Sequence, residues 1–572
     1  MFCKNCGKKL SDEAKFCTYC GAKITSEGEA AADGAQDISR LNDRPGETGQ
    51  SGHNQAVPGE PILAGNGRRR GKGLIIGVVA AAVVVCAGVG VALSGILGGN
   101  PQAKVEKAFA KSMSAYAEMV KDMGLTTLTQ LQEKQAYSTD VSVTLKELPA
   151  EVYRYYYDAG ILEGLGMRVG TDYNLKDRAM SISAAISYGA ADLVQATASL
   201  EDTVLTVYAP DFLGDSALGI DTMTLGADLS KLDPYNADDY QNISFNLYDF
   251  LDKYTQTPEV DPAAVKALRE AVEVKETGKE SVEVNGTDVD CTGYSVLIPE
   301  DAMRDYVDAV EDAVNALELD NAMMDLMESM GVPQDELQYM KEDIENAVSG
   351  KEIFDAIKEG LGEIGDVELQ VYLKDGYVMA VEWEPRIAGN QMEVGLYLGG
   401  GKTYEDQWSL VISNGGEEVL VESEGDHTAS SGRYTDTTTI SFRSGGSTSV
   451  VLESEMEYEP KADSDNFYWG IQGDGFAVIA EGQLTNSSDG LTLSLDNLEF
   501  RDNQETMLAL EADYSVRSYE KRDSGAGAVK MIADMSSSDL ENLGWEIQNN
   551  AQNWVYDLME QIPALQDLMW YM

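Results

Sequence analysis

The stretch from Gly73 to Gly99, GLIIGVVAAAVVVCAGVGVALSGILGG, runs for 27 residues without a charge and follows directly on Arg68-Arg69-Arg70-Gly71-Lys72. As a helix rising about 1.5 Å per residue it reaches roughly 40 Å, enough to cross a hydrocarbon core of about 30 Å with some tilt. A single membrane span is expected here. It divides the chain into residues 1–72, the span, and the 473 residues from Asn100 onward.

The flanks orient the span. Four basic residues fall within five positions on its amino side, whereas Lys104 and Lys107 are offset by Glu106 on the other, so the N-terminus is expected in the cytoplasm and the C-terminal region outside. Cysteine usage points the same way. Four of the six cysteines lie in the first 20 residues, where a reducing compartment keeps thiols free, Cys86 lies in the span, and only Cys291 follows it. The apolar stretch is longer than a signal-peptide core and stands behind a long polar leader, which argues against cleavage. Ala82, Cys86, Gly90, Ser94 and Gly98 recur at i, i+4, and Gly73-x-x-x-Gly77 matches a close-packing motif, so a homodimer through the span is a possible arrangement.

The chain carries 42 Lys+Arg and 98 Asp+Glu; 11 and 9 of these lie in residues 1–72, leaving 31 and 89 beyond the span, a net of −58. Such an excess argues against nucleic acid or an anionic lipid surface as partner, because phosphate binding needs Lys and Arg to displace counterions. It suits a soluble acidic surface.

Residues 1–24, MFCKNCGKKLSDEAKFCTYCGAKI, hold the most specific motif. Cys3-x-x-Cys6-Gly and Cys17-x-x-Cys20-Gly form two knuckles ten residues apart. Each glycine permits the tight turn that brings two sulfurs onto one tetrahedral ion. Cys3, Cys6, Cys17 and Cys20 are therefore expected to hold one structural Zn²⁺, whose binding supplies the folding energy of so small a unit. Two matched pairs favour zinc over a redox CxxC.

With CxxCG at both knuckles and Phe16 before the third cysteine, this segment resembles the short zinc ribbons at the amino end of Gram-positive single-pass membrane proteins. The overall plan is similar to the zinc-ribbon membrane proteins associated with glycopeptide susceptibility. That resemblance implies a ribbon used for protein interaction in the cytoplasm and an extracytoplasmic domain in the cell envelope.

Residues 25–72 form a Gly-, Asp- and Glu-rich tether ending in the basic flank, too poor in aliphatic residues to bury a core. Beyond the span the expected class is α+β: a curved antiparallel sheet with helices. Residues 100–300 read as a helix-led antiparallel β domain, 301–365 as a helical insert, 366–520 as an antiparallel β-rich region and 521–572 as C-terminal helices. Asn100-Pro101 is a helix start, with Val105, Phe109, Met113, Tyr116 and Val120 along one face. Leu148 to Gly160 reads as a short helix, and four strands are expected in 166–209. Asn285-Gly286 and Asp375-Gly376 mark hairpins, and Ser538-x-x-Glu541 reads as a capping box. The order of elements in 100–300 is also similar to lipoprotein carriers with a curved sheet and helical lid.

The sequence is poor in catalytic signals. His427 is the only histidine past the span, no G-x-S-x-G surrounds a serine, and Gly399-Gly-Gly-Lys402-Thr403 lacks the first glycine of a phosphate loop. Ser518-x-x-Lys521 lacks the partner motifs of its enzyme class, and Asp463-x-Asp465 and Asp233 to Asp239 lack the glycine and closing Glu of a calcium loop. Tyr153, Tyr155, Tyr156 and Tyr157 suggest a stacking surface, and Cys291 an inward packing residue. The leading expectation is a non-catalytic membrane-anchored envelope protein that binds a ligand or protein outside and a protein partner inside. A carrier for a hydrophobic envelope molecule is the alternative, with a dry apolar cavity over strands 166–209 as its signature, and a carboxylate-based hydrolase comes third.

Overall fold

The start predicted at Asn100-Pro101 forms as expected: the Asn100 side chain accepts a hydrogen bond of 2.8 Å from the Ala103 amide, and helix Pro101–Ser112 follows. The computed structural model describes residues 100–562 except 150–158, 190, 241–242, 388–389, 400–406, 415, 429–431, 445, 462–465, 474 and 523–526. The four ribbon cysteines, the tether and the Gly73–Gly99 span lie outside the described residues. So do the tyrosines at 153–157, the centre of the helix expected from Leu148, and Asp463 and Asp465. Among the described residues no helix is long and apolar enough to cross a membrane.

The single amino-terminal helix suggested by the Val105 to Val120 stripe is instead two, Pro101–Ser112 and Ser114–Asp122, and a third, Leu125–Glu133, follows them. Gly124, at φ 81°, makes the second break, and a side chain there would strike Leu491. Periodicity reports a face; it does not report a turn that reorients that face.

Among the described residues twenty strands build one open sheet, all its pairings antiparallel except one, and Arg386–Ile387 with Asn390–Gln391 make a separate two-stranded piece. Strand Ala136–Glu147 has two partners: Leu165–Asn174 on one side and Glu505–Ser518 on the other. From the first partner the sheet continues through Ala179–Tyr188, Ala191–Glu201, Val204–Tyr208 and Ser216–Asp221. From the second it runs back as a meander to Gln407–Asn414, then through Glu393–Leu398, Tyr377–Trp383 and Val367–Lys374 to the hairpin Glu273–Val284 and Thr287–Ile298. Residues expected as two separate β regions therefore share one sheet.

Alternation makes one face of this sheet apolar, and three groups of helices cover it in places. Helices Pro101–Ser112, Pro262–Ala271, Glu300–Asn315 and Lys351–Ile364 enclose Val105, Leu361, Val367, Val371 and Val378. Helix Leu125–Glu133 sets Leu131 against Tyr434, Tyr458, Leu484, Leu491 and Val516, and both tyrosine hydroxyls bond to Asp122. Helix Leu247–Tyr254 places Tyr248 on Leu175 and Leu200, its hydroxyl donating to the Leu200 carbonyl at 2.7 Å. Between the last two groups the apolar face is uncovered: Val141, Ile182 and Ile186 are 39%, 50% and 45% exposed.

The hairpin at Asn285-Gly286 forms with both residues at positive φ, and its tip curls over: Asn285 donates to the Gln407 carbonyl and accepts from Ser409. Under that curl Cys291 is buried with Val284 and Tyr372, as its alternation implied, and burial pushes its thiol above the ordinary value. At the other end of the chain, helix Ser537–Gln561 starts two residues earlier than expected, because Ser536 and Asp539 form the capping box.

The capped and uncapped parts of the apolar face should respond differently to substitution. Leu131→Ala is expected to cost about 3 kcal/mol of unfolding free energy, whereas Ile182→Thr stays within about 0.5 kcal/mol. Urea unfolding followed by tryptophan fluorescence reads both; a silent Leu131→Ala would contradict this packing.

Candidate functional site

Strands 165–208 turn Asp172, Ser181, Thr197, Ser199 and Thr206 to the face opposite Ile182 and Ile186, and residues 519–522 and 528–531 lie against that face. The first of these residues are held by the neighbouring strand Ala136–Glu147: the Tyr519 amide donates to Ala136 O, and the Glu520 amide to the buried Ser138 hydroxyl at 3.2 Å. Lys521 then pairs with Glu201 at 2.5 Å, which raises the ammonium pKa. Farther on, Ala528–Met531 joins Ser216–Asp221 in the sheet's one parallel pairing.

Arg522 anchors this strap. Its Nε lies 3.0 Å from both oxygens of Asp172, its Nη1 2.6 Å from Asp140, and its Nη2 donates to the Thr139 carbonyl at 3.0 Å. Asp172 is 3% exposed and also accepts from Ser181 at 2.6 Å; Asp140 is shared with Arg517. Burial alone would raise the Asp140 carboxyl, but the two guanidinium groups outweigh it and hold its pKa below the ordinary value. Gly170 makes room, since a side chain there would overlap the guanidinium, and Gly219 does the same for Val529 and Met531.

The strap turns the polar face into an open groove of about 780 Å³. Its floor is hydroxyl-bearing, with Ser181, Thr197, Ser199 and Thr206, and its rim holds Tyr519, Val529 and Met531. The Ser199 and Thr206 hydroxyls bond to each other at 2.5 Å. Ala179, Met180 and Val204 of these strands also line the groove, whereas Ile182 and Ile186 stand half-exposed on the opposite face.

Of the residues singled out in the sequence, Lys521 lines this groove, whereas Asp233 and Cys291 do not. His427 stands on strand Glu417–Thr428, and its side chain lies outside the described residues. Asp233 caps its own turn, accepting from the Tyr235 amide, and no group of three metal-ligating side chains occurs among the described residues. Lys521 of the Ser518-x-x-Lys521 match serves the ion pair with Glu201. Arg522, Asp140, Asp172 and the hydroxyl floor were not singled out by sequence reasoning. The only signal was the scarcity of cations, since Arg517 and Arg522 lie close together in a region with 31 basic residues.

Removing the anchor leaves the buried Asp172 with Ser181 as its side-chain partner, so Arg522→Ala is expected to cost roughly 3 kcal/mol. Arg522→Lys should recover only part of this, because a point charge cannot engage both carboxylates at once. Urea unfolding measures both. The depressed Asp140 pKa also gives a pH dependence. Its stabilisation is fully present above the ordinary carboxylate range near pH 4 and is lost as pH falls through the lowered value. Asp140→Asn should flatten the loss of stability between about pH 5 and pH 2; an unchanged pH profile would contradict the assignment.

Comparison with known proteins bears on the other end of the chain. No curated protein matches the chain. Residues 2–24 match a zinc-ribbon domain, a structural zinc-binding fold, and they contain all four of the expected ligands Cys3, Cys6, Cys17 and Cys20. The thiolate donor set of those cysteines suits Zn²⁺. The chain thus carries a zinc ribbon at its amino end.

Proposed function

We propose that this is a non-catalytic, single-pass membrane protein that binds a ligand through its extracytoplasmic sheet and a protein partner through its cytoplasmic zinc ribbon. The observation that carries the binding role is the strapped groove: three ion pairs and two glycine sites hold residues 519–522 and 528–531 against a hydroxyl-lined face that stays open. Groove volume falls within the range typical of small-molecule sites. The reading as binder rather than hydrolase rests on the pairing of the groove's carboxylates, since Asp172 is engaged by Arg522 and Glu201 by Lys521. General acid–base hydrolysis needs one carboxyl kept protonated and one free.

Membrane anchoring rests on the uncharged Gly73–Gly99 stretch and its basic flank. A ribbon on the reducing side keeps its thiolates available for zinc, and the tether lets it reach a partner without transmitting a rigid motion. In this reading the acidic bulk outside keeps the protein soluble and away from anionic lipid.

Three measurements test the parts separately. Impermeant maleimide applied to intact cells should leave Cys3 and Cys6 unlabelled even after chelation, whereas labelling of either would reverse the orientation. Metal analysis of reduced full-length protein should return one zinc per chain, falling to none when Cys17 and Cys20 are replaced by Ser; zinc-free wild-type protein would defeat the ribbon assignment. Filling the groove with Thr206→Trp should cut retention of the full-length protein on isolated envelope material at least tenfold without lowering its unfolding midpoint. Equal retention would remove the groove from the binding role.

A further inference from the structure

We propose that the groove takes an uncharged, hydroxyl-rich oligosaccharide; this rests on the groove being the binding site and adds its ligand class. The first argument is charge. In a region of net −58 the groove is a balanced place, its charged lining being Asp172 with Arg522 and Glu201 with Lys521, each pair already joined. An anion meets no unpaired cation there and an ammonium no unpaired carboxylate, so neither gains what it loses in desolvation.

The hydroxyls supply the second argument. Ser181 donates its proton to Asp172, which leaves its oxygen as an acceptor; with Thr206 as donor, to the Ser199 hydroxyl at 2.5 Å and toward the Ser199 carbonyl at 3.4 Å, the Ser199 O–H is left to donate. The floor therefore presents donors and acceptors side by side. A sugar hydroxyl, which is both, matches such a surface, whereas a carboxylate or phosphate offers acceptors alone and an ammonium donors alone. Val529, 50% exposed, and Met531 on the rim add apolar contact for the C–H face of a ring.

The third argument separates a saccharide from an extended peptide. Main-chain recognition of a peptide needs an unpaired strand edge. At the floor residues Asp172, Ser181, Thr197, Ser199 and Thr206 each strand is paired on both sides, so the floor offers side chains rather than free backbone.

The test uses full-length protein in detergent micelles and calorimetric titration with four probes: an uncharged glucan trimer, a trimer of N-acetylglucosamine, the deacetylated and cationic form of that trimer, and a Gly/Ser hexapeptide. At least one of the two neutral trimers should bind. Ser199→Leu and, separately, the near-isosteric Thr206→Val should each weaken it at least fivefold, while Ile182→Thr on the opposite face of the floor leaves it unchanged. Neutral trimers that fail to bind, or that bind equally to both floor variants, overturn the proposal. If the cationic trimer or the peptide binds instead and is lost with the floor variants, the ligand class is wrong and the groove remains the binding site. Failure of the groove itself is read independently from envelope retention by Thr206→Trp.

Discussion

Strand Ala136–Glu147 and strand Glu505–Ser518 lie more than 350 positions apart and pair antiparallel from Tyr137 opposite Ser518 to Glu147 opposite Ala509. Everything distinctive in residues 100–562 follows from that ladder. Without it the chain would form two unrelated meanders, one on each side of a helical block. With it the meanders become one sheet, and the residues that leave the second strand land on the face of the first meander. Closing so long a loop is entropically unfavourable, but the cost grows only with the logarithm of loop length, and about ten residue pairs of ladder and the Val516 and Leu131 core offset it.

The groove is a geometric consequence of this closure. Arg522 comes four residues after the strand ends, within reach of the neighbouring strands, and finds Asp140 and Asp172 there with Gly170 leaving space. Sheets ordinarily bury their apolar faces, yet these strands place serine and threonine under the strap and leave Ile182 and Ile186 half-exposed. A polar face held by ion pairs, in which Asp172 alone is buried, contributes little to stability compared with an apolar one. That arrangement is what one expects of a surface kept for recognition.

Local features were legible in the sequence. Asn100-Pro101 announced a helix, Asn285-Gly286 and Asp375-Gly376 announced hairpins, and the CxxCG pair announced the ribbon, because each depends on a few neighbouring residues whose chemistry is specific. The α+β character and the antiparallel sense of the sheet followed from period-two runs broken by short turns. Long-range choices were not legible. Nothing near Ala528–Met531 signals a parallel partner at Ser216–Asp221, and Arg522 reads in sequence as one more solvated charge. The break at Gly124 depends on Leu491, far along the chain, which occupies the space beside it.

Native-state hydrogen exchange on the full-length protein tests the central ladder most directly. If one sheet joins the two meanders, amides of Tyr137 to Leu145 and of Ala509 to Val516 share a single opening free energy, and those of Tyr519 and Glu520 lose protection in the same step. If the 505–518 strand instead opens with strands 476–502 while 136–147 stays protected with 165–174, the two meanders are separate units and the account of the groove falls with the ladder.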